Sequence, residues 1–260
     1  MRRFPAQRLV CLTEETVETL YLLGEEDRIV GVSGYAVRPP QVRKEKPRIS
    51  SFLSADIDRV VALAPDLVLA FSDIQANVVA DLARRGLAVH LFNQRDLAGI
   101  FAMIRTLGAL IGCVEKAEAL AVRLEARVRA VEAEARQRRV RPRVYFEEWD
   151  EPMISGIGWV SELIEIAGGT DIFADLSGQA AAKDRIVTSA EVVARRPDVI
   201  LASWCGKKVR RDSFKAREGW ADLPAVAAGR IVEIKSPLIL QPGPAALTDG
   251  LDAICAALRG

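Results

Sequence analysis

Two kinds of apolar pattern alternate along the chain. Short, nearly continuous apolar runs at residues 8–12, 28–32, 67–71, 87–92, 144–147, 199–202 and 230–234 have the length of buried strands. Between them lie segments with the i, i+3, i+4 spacing of amphipathic helices, at 56–64, 75–85, 159–167, 189–195 and 245–258, with a further helix running from Asp96 to near Gly112. Thr13 is expected to cap a helix whose first turn holds Glu14 and Glu15, whose buried side carries Val17, Leu20 and Tyr21, and which stops at Gly24. Strands alternating with helices predict an α/β fold with mainly parallel sheets.

The longest helical pattern covers residues 115–140, with no glycine or proline inside it. Its apolar stripe is Ala117, Leu120, Ala121, Leu124, Val128, Val131 and Ala135. Its other faces offer Glu-before-Arg pairs at i,i+4: Glu125 with Arg129, Glu132 with Arg136 and Glu134 with Arg138. At about 1.5 Å per residue such a helix would run for roughly 35–40 Å. The basic run 136–141 would close it, where cations suit the negative end of the helix dipole.

The stretches on the two sides of this helix echo one another. Val60-Val-Ala-Leu-Ala-Pro-Asp-Leu-Val-Leu-Ala70 parallels Val192-Val-Ala-Arg-Arg-Pro-Asp-Val-Ile-Leu-Ala202. In each, proline ends a helix and forces the residue before it out of the α region, and an apolar strand follows. The expected organisation is an amino-terminal α/β lobe over 1–112, a connecting helix over 113–141 and a carboxyl-terminal α/β lobe over 142–260.

Composition narrows the function. Half of the 260 residues are hydrophobic and 27% are charged, which supports a sizeable core. The net charge of +1 calls for neither nucleic acid nor an anionic membrane. Cys11, Cys113, Cys205 and Cys255 form no CxxC pair, so buried free thiols are expected rather than a metal site, with a disulfide between distant positions left open. No apolar run approaches the ~18–20 residues of a membrane span. The opening MRRFPAQRLVCL lacks the apolar centre of a signal peptide, so two placements stay open: cytosolic, or extracytoplasmic with a leader removed.

Enzymatic signatures are missing. There is no Gly-x-Ser-x-Gly elbow and no Walker A run, and Gly156-Ile-Gly158 is too short for a dinucleotide fingerprint. His90, the only histidine, falls in a strand pattern and is expected to be a packed core residue, so metal is not expected. The chain is expected not to be an enzyme.

The order and spacing of several segments carry a family resemblance. They are Leu20-Tyr-Leu-Leu-Gly24, Asp27-Arg-Ile-Val-Gly-Val32, Asp58-Arg-Val-Val-Ala-Leu-Ala-Pro-Asp-Leu-Val-Leu69, Ser161-Glu-Leu-Ile-Glu-Ile-Ala-Gly-Gly169, Trp220-Ala-Asp-Leu-Pro-Ala-Val-Ala-Ala-Gly-Arg-Ile-Val232 and Pro242-Gly-Pro244. Over essentially its whole length the chain resembles the helical-backbone substrate-binding proteins that serve ABC importers of vitamin B12, ferric siderophores and haem. Within that family it looks most like cobalamin binders. The resemblance implies two lobes bridged by one rigid helix and a corrinoid ligand in the cleft between them. It also implies a monomer, ABC importer permease subunits as partners and a periplasmic or other extracytoplasmic location. A ferric-siderophore or haem binding protein, or an intracellular corrinoid carrier or sensor, are the alternatives.

The resemblance nominates site residues. Tyr35, Phe52 and Phe71 fall where vitamin-binding members place cleft aromatics, and Trp149 and Trp204 follow strands of the second half. Broad aromatic faces cover a corrin ring at low entropic cost. Arg185 stands where a tryptophan is found in such proteins, Gln241 where arginine is frequent, and the acidic 147–151 stretch brings Glu148 to the ligand side. Asp58 and Glu191, at the heads of the two echoing helices, match the acidic residues that meet transporter arginines.

Overall fold

A computed structural model describes residues 4–51 and 54–259. The chain divides into two compact units, one formed by the described residues of Met1–Gln94 with Ala98–Leu124, the other by Arg95–Leu97 with those of Glu125–Gly260.

The first unit is built on five parallel strands: β1 (Leu9–Cys11), β2 (Ile29–Ser33), β3 (Arg48–Ser50), β4 (Leu67–Phe71) and β5 (Val89–Phe92). Their order is β3-β2-β1-β4-β5. The chain first builds outward from β1 on one side and then returns to its other side, so a topological switch lies between β1 and β4. The carboxyl ends of strands at such a switch are the usual place for a ligand in open α/β sheets. Val10, Leu12, Val60, Val68, Ala70 and Leu82 form part of a core cluster of this unit, all buried.

The second unit centres on β6 (Arg143–Asp150), which pairs with β7 (Met153–Ser155), β8 (Thr170–Asp171) and β9 (Val199–Ala202), while β10 (Ile231–Glu233) lies beyond β9. All these pairings are parallel except β6 with β7. Its core is strongly aromatic: Tyr145, Phe173, Phe214 and Trp220 meet edge-on or tilted, with ring centroids 5.6–5.9 Å apart.

The sequence echo is a structural repeat. Helices Ile57–Ala62 and Ser189–Arg195 are each followed within two residues by one with positive φ, Ala64 at 45° and Arg196 at 42°. Left-handed backbone at a residue with a Cβ costs roughly 1–2 kcal/mol, and both sites recover it in the same way. Asp66 accepts the backbone N–H of Arg8 at 3.1 Å and Asp198 that of Arg143 at 2.8 Å. The guanidinium of Arg8 donates to the carbonyls of Ala64 and Leu63, and that of Arg143 to the carbonyl of Arg195. Each Pro-Asp corner is therefore clamped to the entry of the neighbouring strand, β1 in one unit and β6 in the other.

Several expectations are corrected. The connecting helix spans Val114–Ala135, 22 residues or about 33 Å, and does not reach 140. Pro142 disfavours helix at the residue before it. The basic run turns away instead: Arg138 donates to the carbonyl of Ala167, and Arg141 to Gly169 and to Glu165. Of the expected i,i+4 pairs, Glu132–Arg136 closes at 2.7 Å and Glu125–Arg129 is loose at 3.9 Å. Where this helix begins, Gly108 of the preceding helix Leu97–Ile111 lies so near Ala117 that a Cβ at 108 would come within 2.2 Å of it.

The acidic stretch 147–151 is mostly strand. It continues β6 to Asp150 and forms a hairpin with β7. Thr13 occupies the cap position of helix Glu14–Leu23, but its hydroxyl donates to Glu15 at 2.6 Å rather than accepting a backbone N–H. The segment after Pro40 contains a short helix, Val42–Glu45. The closing helix opens as a π turn, Ala246–Gly250, before Leu251–Arg259, and a Cβ at Gly250 would sit 2.4 Å from the carbonyl of Leu238. All four cysteines are free, and Cys205 is exposed rather than buried. His90 is half-buried against Phe92, 4.3 Å between ring centroids, and burial lowers its pKa. Among the described residues no helix is long and apolar enough to cross a membrane.

Candidate functional site

In the first unit the carboxyl ends of β1 and β2 are lined by carboxylates. Glu14 and Glu15 open the helix after β1 and are buried, as is Glu18 one turn on. Ser33 at the end of β2 donates to Glu14 at 3.4 Å, and Arg38 pairs with Glu18 at 3.0 Å. Burial raises the Glu15 carboxyl to about 8, against the lowering effect of the Thr13 hydroxyl, and neighbouring Glu14 raises it further. The positive end of the helix favours anions here, yet among the described residues Glu15 Oε2 has no hydrogen-bond partner.

Tyr35 follows β2 and is 54% exposed, with its backbone N–H donated to the Ser33 hydroxyl at 3.2 Å. Phe71, the last residue of β4, is buried. Next to it Ser72 adopts φ 62°, ψ 170°, backbone that residues with a side chain rarely take. Phe52 lies outside the described residues. Asp58 is exposed and paired with Arg85 at 2.7 Å.

In the second unit the end of β6 carries a different chemistry. Glu147 is wholly buried, and three side chains converge on it. Arg217 donates to both of its oxygens at 2.5 and 2.9 Å, the Trp204 indole N–H at 3.1 Å and the Tyr145 hydroxyl at 3.1 Å. Burial raises the Glu147 pKa, opposed chiefly by Arg217. The next residue, Glu148, pairs with Arg185 at 2.7 and 3.2 Å. Arg185 is 1% exposed and also donates to the carbonyl of Ser155, so it staples the β6–β7 hairpin to the turn Ala182–Arg185.

Trp149 projects beside this network, half-buried, with its indole N–H donated to the carbonyl of Glu151 at 2.9 Å. Lys207 lays its ammonium 4.2 Å from the Trp149 ring centre and 5.1 Å from that of Trp204, and pairs with Asp150. Trp204 is buried and stacks on Phe214 at 5.9 Å. The structure thus brings Glu148, Trp149, Trp204 and Arg185 together around the end of β6. It gives Trp204 and Arg185 interior partners and leaves Trp149 as the accessible ring. Gln241 lies half-buried just before Pro242. Glu191 forms a capping box with Thr188, whose hydroxyl and backbone N–H hold its carboxyl below the usual range.

Sequence reasoning missed Lys207, Arg217 and the support role of Glu147. The signal available was the cationic density of 207–217, which holds six Lys or Arg residues against the single acid Asp212.

A cavity of about 500 Å³ also opens in this unit beside helix Gly158–Ile166, lined by Arg95, Asp96, Ser161, Glu162 and Gln179 among others. It includes none of the expected ligand residues, and its carboxylates already have duties: Glu162 accepts the Leu97 N–H at 2.8 Å and Glu165 pairs with Arg141. Among the described residues no group of three or more His, Cys, Asp or Glu side chains is placed to hold a metal ion.

Comparison with known proteins adds the following. The family described as periplasmic binding protein matches residues 9–238. A vitamin B12-binding protein of Vibrio campbellii is 26% identical over 245 residues, covering 92% of this chain and 84% of that protein. An uncharacterised ABC transporter substrate-binding lipoprotein of Bacillus subtilis is 23% identical, covering 95% of this chain and 78% of its own length. The solved structure of a periplasmic haem-binding protein from Roseiflexus sp. RS-1 superposes with a TM-score of 0.82 at 26% identity, covering 97% of this chain and 99% of that one.

Proposed function

The chain belongs to the periplasmic binding protein family, and from that premise we propose that it captures a corrinoid of the cobalamin type and delivers it to an ABC importer. The observation that carries the ligand class is the likeness to a vitamin B12-binding protein across nearly the whole chain. Aromatic side chains at strand ends of both units, Tyr35 and Trp149, support it, because a corrin ring offers wide, weakly polar faces for such rings to cover. Phe71 borders the switch of the first sheet as a buried support, and Gln241 offers an amide to the amide-rich rim of the ligand. Glu148, Arg185 and Trp204 act behind Trp149 by fixing the strand that carries it.

Delivery to permease subunits follows the relative described as an ABC transporter substrate-binding lipoprotein. Asp58 and Glu191 are the docking residues of this reading, at the heads of the two repeated helices. The protein acts as an extracytoplasmic monomer. Glu191→Ala spares ligand affinity and weakens association with the transporter in a pull-down; equal association would remove the docking assignment. Haem is the second ligand, favoured by the likeness to the Roseiflexus haem-binding protein.

Thermal stabilisation by a panel of cyanocobalamin, haem and ferric siderophores tests the proposal. A ligand at a hundred times its Kd adds about 2.7 kcal/mol to stability, a clear shift in Tm. Cyanocobalamin is expected to give it. A shift by a siderophore alone would overturn the corrinoid reading.

A further inference from the structure

The ring that the second unit offers to a ligand is already covered by a cation. Lys207 stands 4.2 Å from the centre of the Trp149 ring, within reach of Trp204, and is tied to Asp150. Its side chain is 41% exposed, so it can leave the ring without unfolding anything. The residues around it are cationic as well. Lys208, Arg210 and Arg211 follow within four positions and are exposed, while Val209 between them is buried in the aromatic core and holds the segment in place. Arg217 faces inward and is neutralised by Glu147. Lys208 lies near Glu233, whose carboxyl is lowered first by Lys235. Arg210 and Arg211 add charge that Asp212 alone offsets within 208–214. Four of the five residues 207–211 are cationic, whereas the strand that carries Trp149 is acidic, with Glu148 taken up by Arg185 and Asp150 by Lys207.

A ligand ring that stacks on Trp149 must displace the Lys207 ammonium, and the displaced ammonium loses a cation–π contact. An anion on the rim of the ligand would replace the lost contact and add to the Asp150 pair, whereas an uncharged rim would leave the ammonium with Asp150 alone. We infer that Lys207, backed by Lys208, Arg210 and Arg211, makes this wall selective for flat conjugated macrocycles that bear a peripheral anionic group, a carboxylate or a phosphodiester, over the same macrocycles without one. This rests on the macrocycle-binding reading above and adds the charge preference to it.

Ligand pairs with the same ring separate the two. Haem is compared with haem dimethyl ester, and cyanocobalamin, whose nucleotide loop carries a phosphodiester, with dicyanocobinamide, which has the same ring without it, each by spectral titration of the intact chain. The anionic member of whichever pair binds is expected to win by about tenfold, the scale of one charge-assisted hydrogen bond. Raising salt from 50 to 500 mM narrows the ratio if exposed charges supply it. Lys207→Met, which keeps the aliphatic stem over Trp149, brings the ratio to within about twofold of unity. A residue that only packed would change both affinities together and leave the ratio alone. Lys208→Gln/Arg210→Gln/Arg211→Gln lowers the ratio less than Lys207→Met. Binding of both members with equal affinity overturns the charge preference and leaves the macrocycle reading standing. Failure of all four compounds to bind overturns both.

Discussion

The two units start from one plan and finish differently. Each joins a helix to a strand through a positive-φ residue, a proline and an aspartate, and each aspartate holds an N–H at the entry of the neighbouring strand, Arg8 in one and Arg143 in the other. Beyond that corner the strands diverge. β1 leads through Leu12 into buried glutamates, one of them raised to about 8. β6 runs on through Glu147 into Trp149 and Asp150, and its buried carboxylate is met by an arginine, a tryptophan and a tyrosine. The corner that sets the scaffold is repeated almost atom for atom, while the chemistry at the strand ends is not. Scaffold and recognition are thus separable in this chain, and each can be broken without the other.

The sharpest test of that separation is Glu147→Ala. It leaves Arg217, Trp204 and Tyr145 without their common acceptor, and removing one partner of a buried pair costs about 3–5 kcal/mol. Urea unfolding should show the loss, whereas Leu12, its counterpart after β1, holds no such network. A loss below 1 kcal/mol would mean that the network contributes little.

Glu15 should make the first unit pH-sensitive. Its folded pKa, about 8, lies above the unfolded value of 4.5, so the folded chain holds a proton that the unfolded chain has released. Its stabilising contribution is complete below pH 4.5 and is lost as pH rises to about 8, with a slope of up to about 1.4 kcal/mol per pH unit. Glu15→Gln should flatten stability against pH in that window, measured by denaturant midpoints from pH 5 to 8. An unchanged slope would show that Glu15 is ionised when folded.

Trp149→Ala should weaken ligand binding by about tenfold, as loss of a single aromatic anchor does, with little change in stability because the ring is half-buried. The smallest effect belongs to the repeated corner. Asp66→Ala and Asp198→Ala should each cost about 1 kcal/mol and leave ligand affinity alone. Asp66 also accepts the N–H of Gln7 at 3.0 Å, so its loss should be the larger. A change in affinity from either would contradict the separation.

The corner was legible because its signals are local. Proline ends the helix, four apolar residues make the strand, and 189–195 and 199–202 emerge in the structure with those limits. The end of β6 was not, because Glu147-Glu-Trp-Asp150 has the polarity of a loop and becomes a strand only through partners elsewhere. Arg185 lies 37 residues beyond Glu148 and Arg217 lies 70 beyond Glu147, distances at which no periodicity speaks. The connecting helix stopped short for a related reason. Arg138 and Arg141 make better contacts with carbonyls of the second unit than another helical turn would give them. Among the expected ligand residues, composition could nominate Trp149 and Trp204 alike. Only the fold separates the half-buried ring from the one that stacks in the core.

The most direct measurement is a titration of the chain with cyanocobalamin followed in the visible corrin spectrum, with tryptophan fluorescence recorded in the same cuvette. Saturable spectral change with a Kd below about 10 µM, accompanied by quenching that Trp149→Phe diminishes, is the predicted result. A flat titration from a folded sample at that concentration would contradict the account.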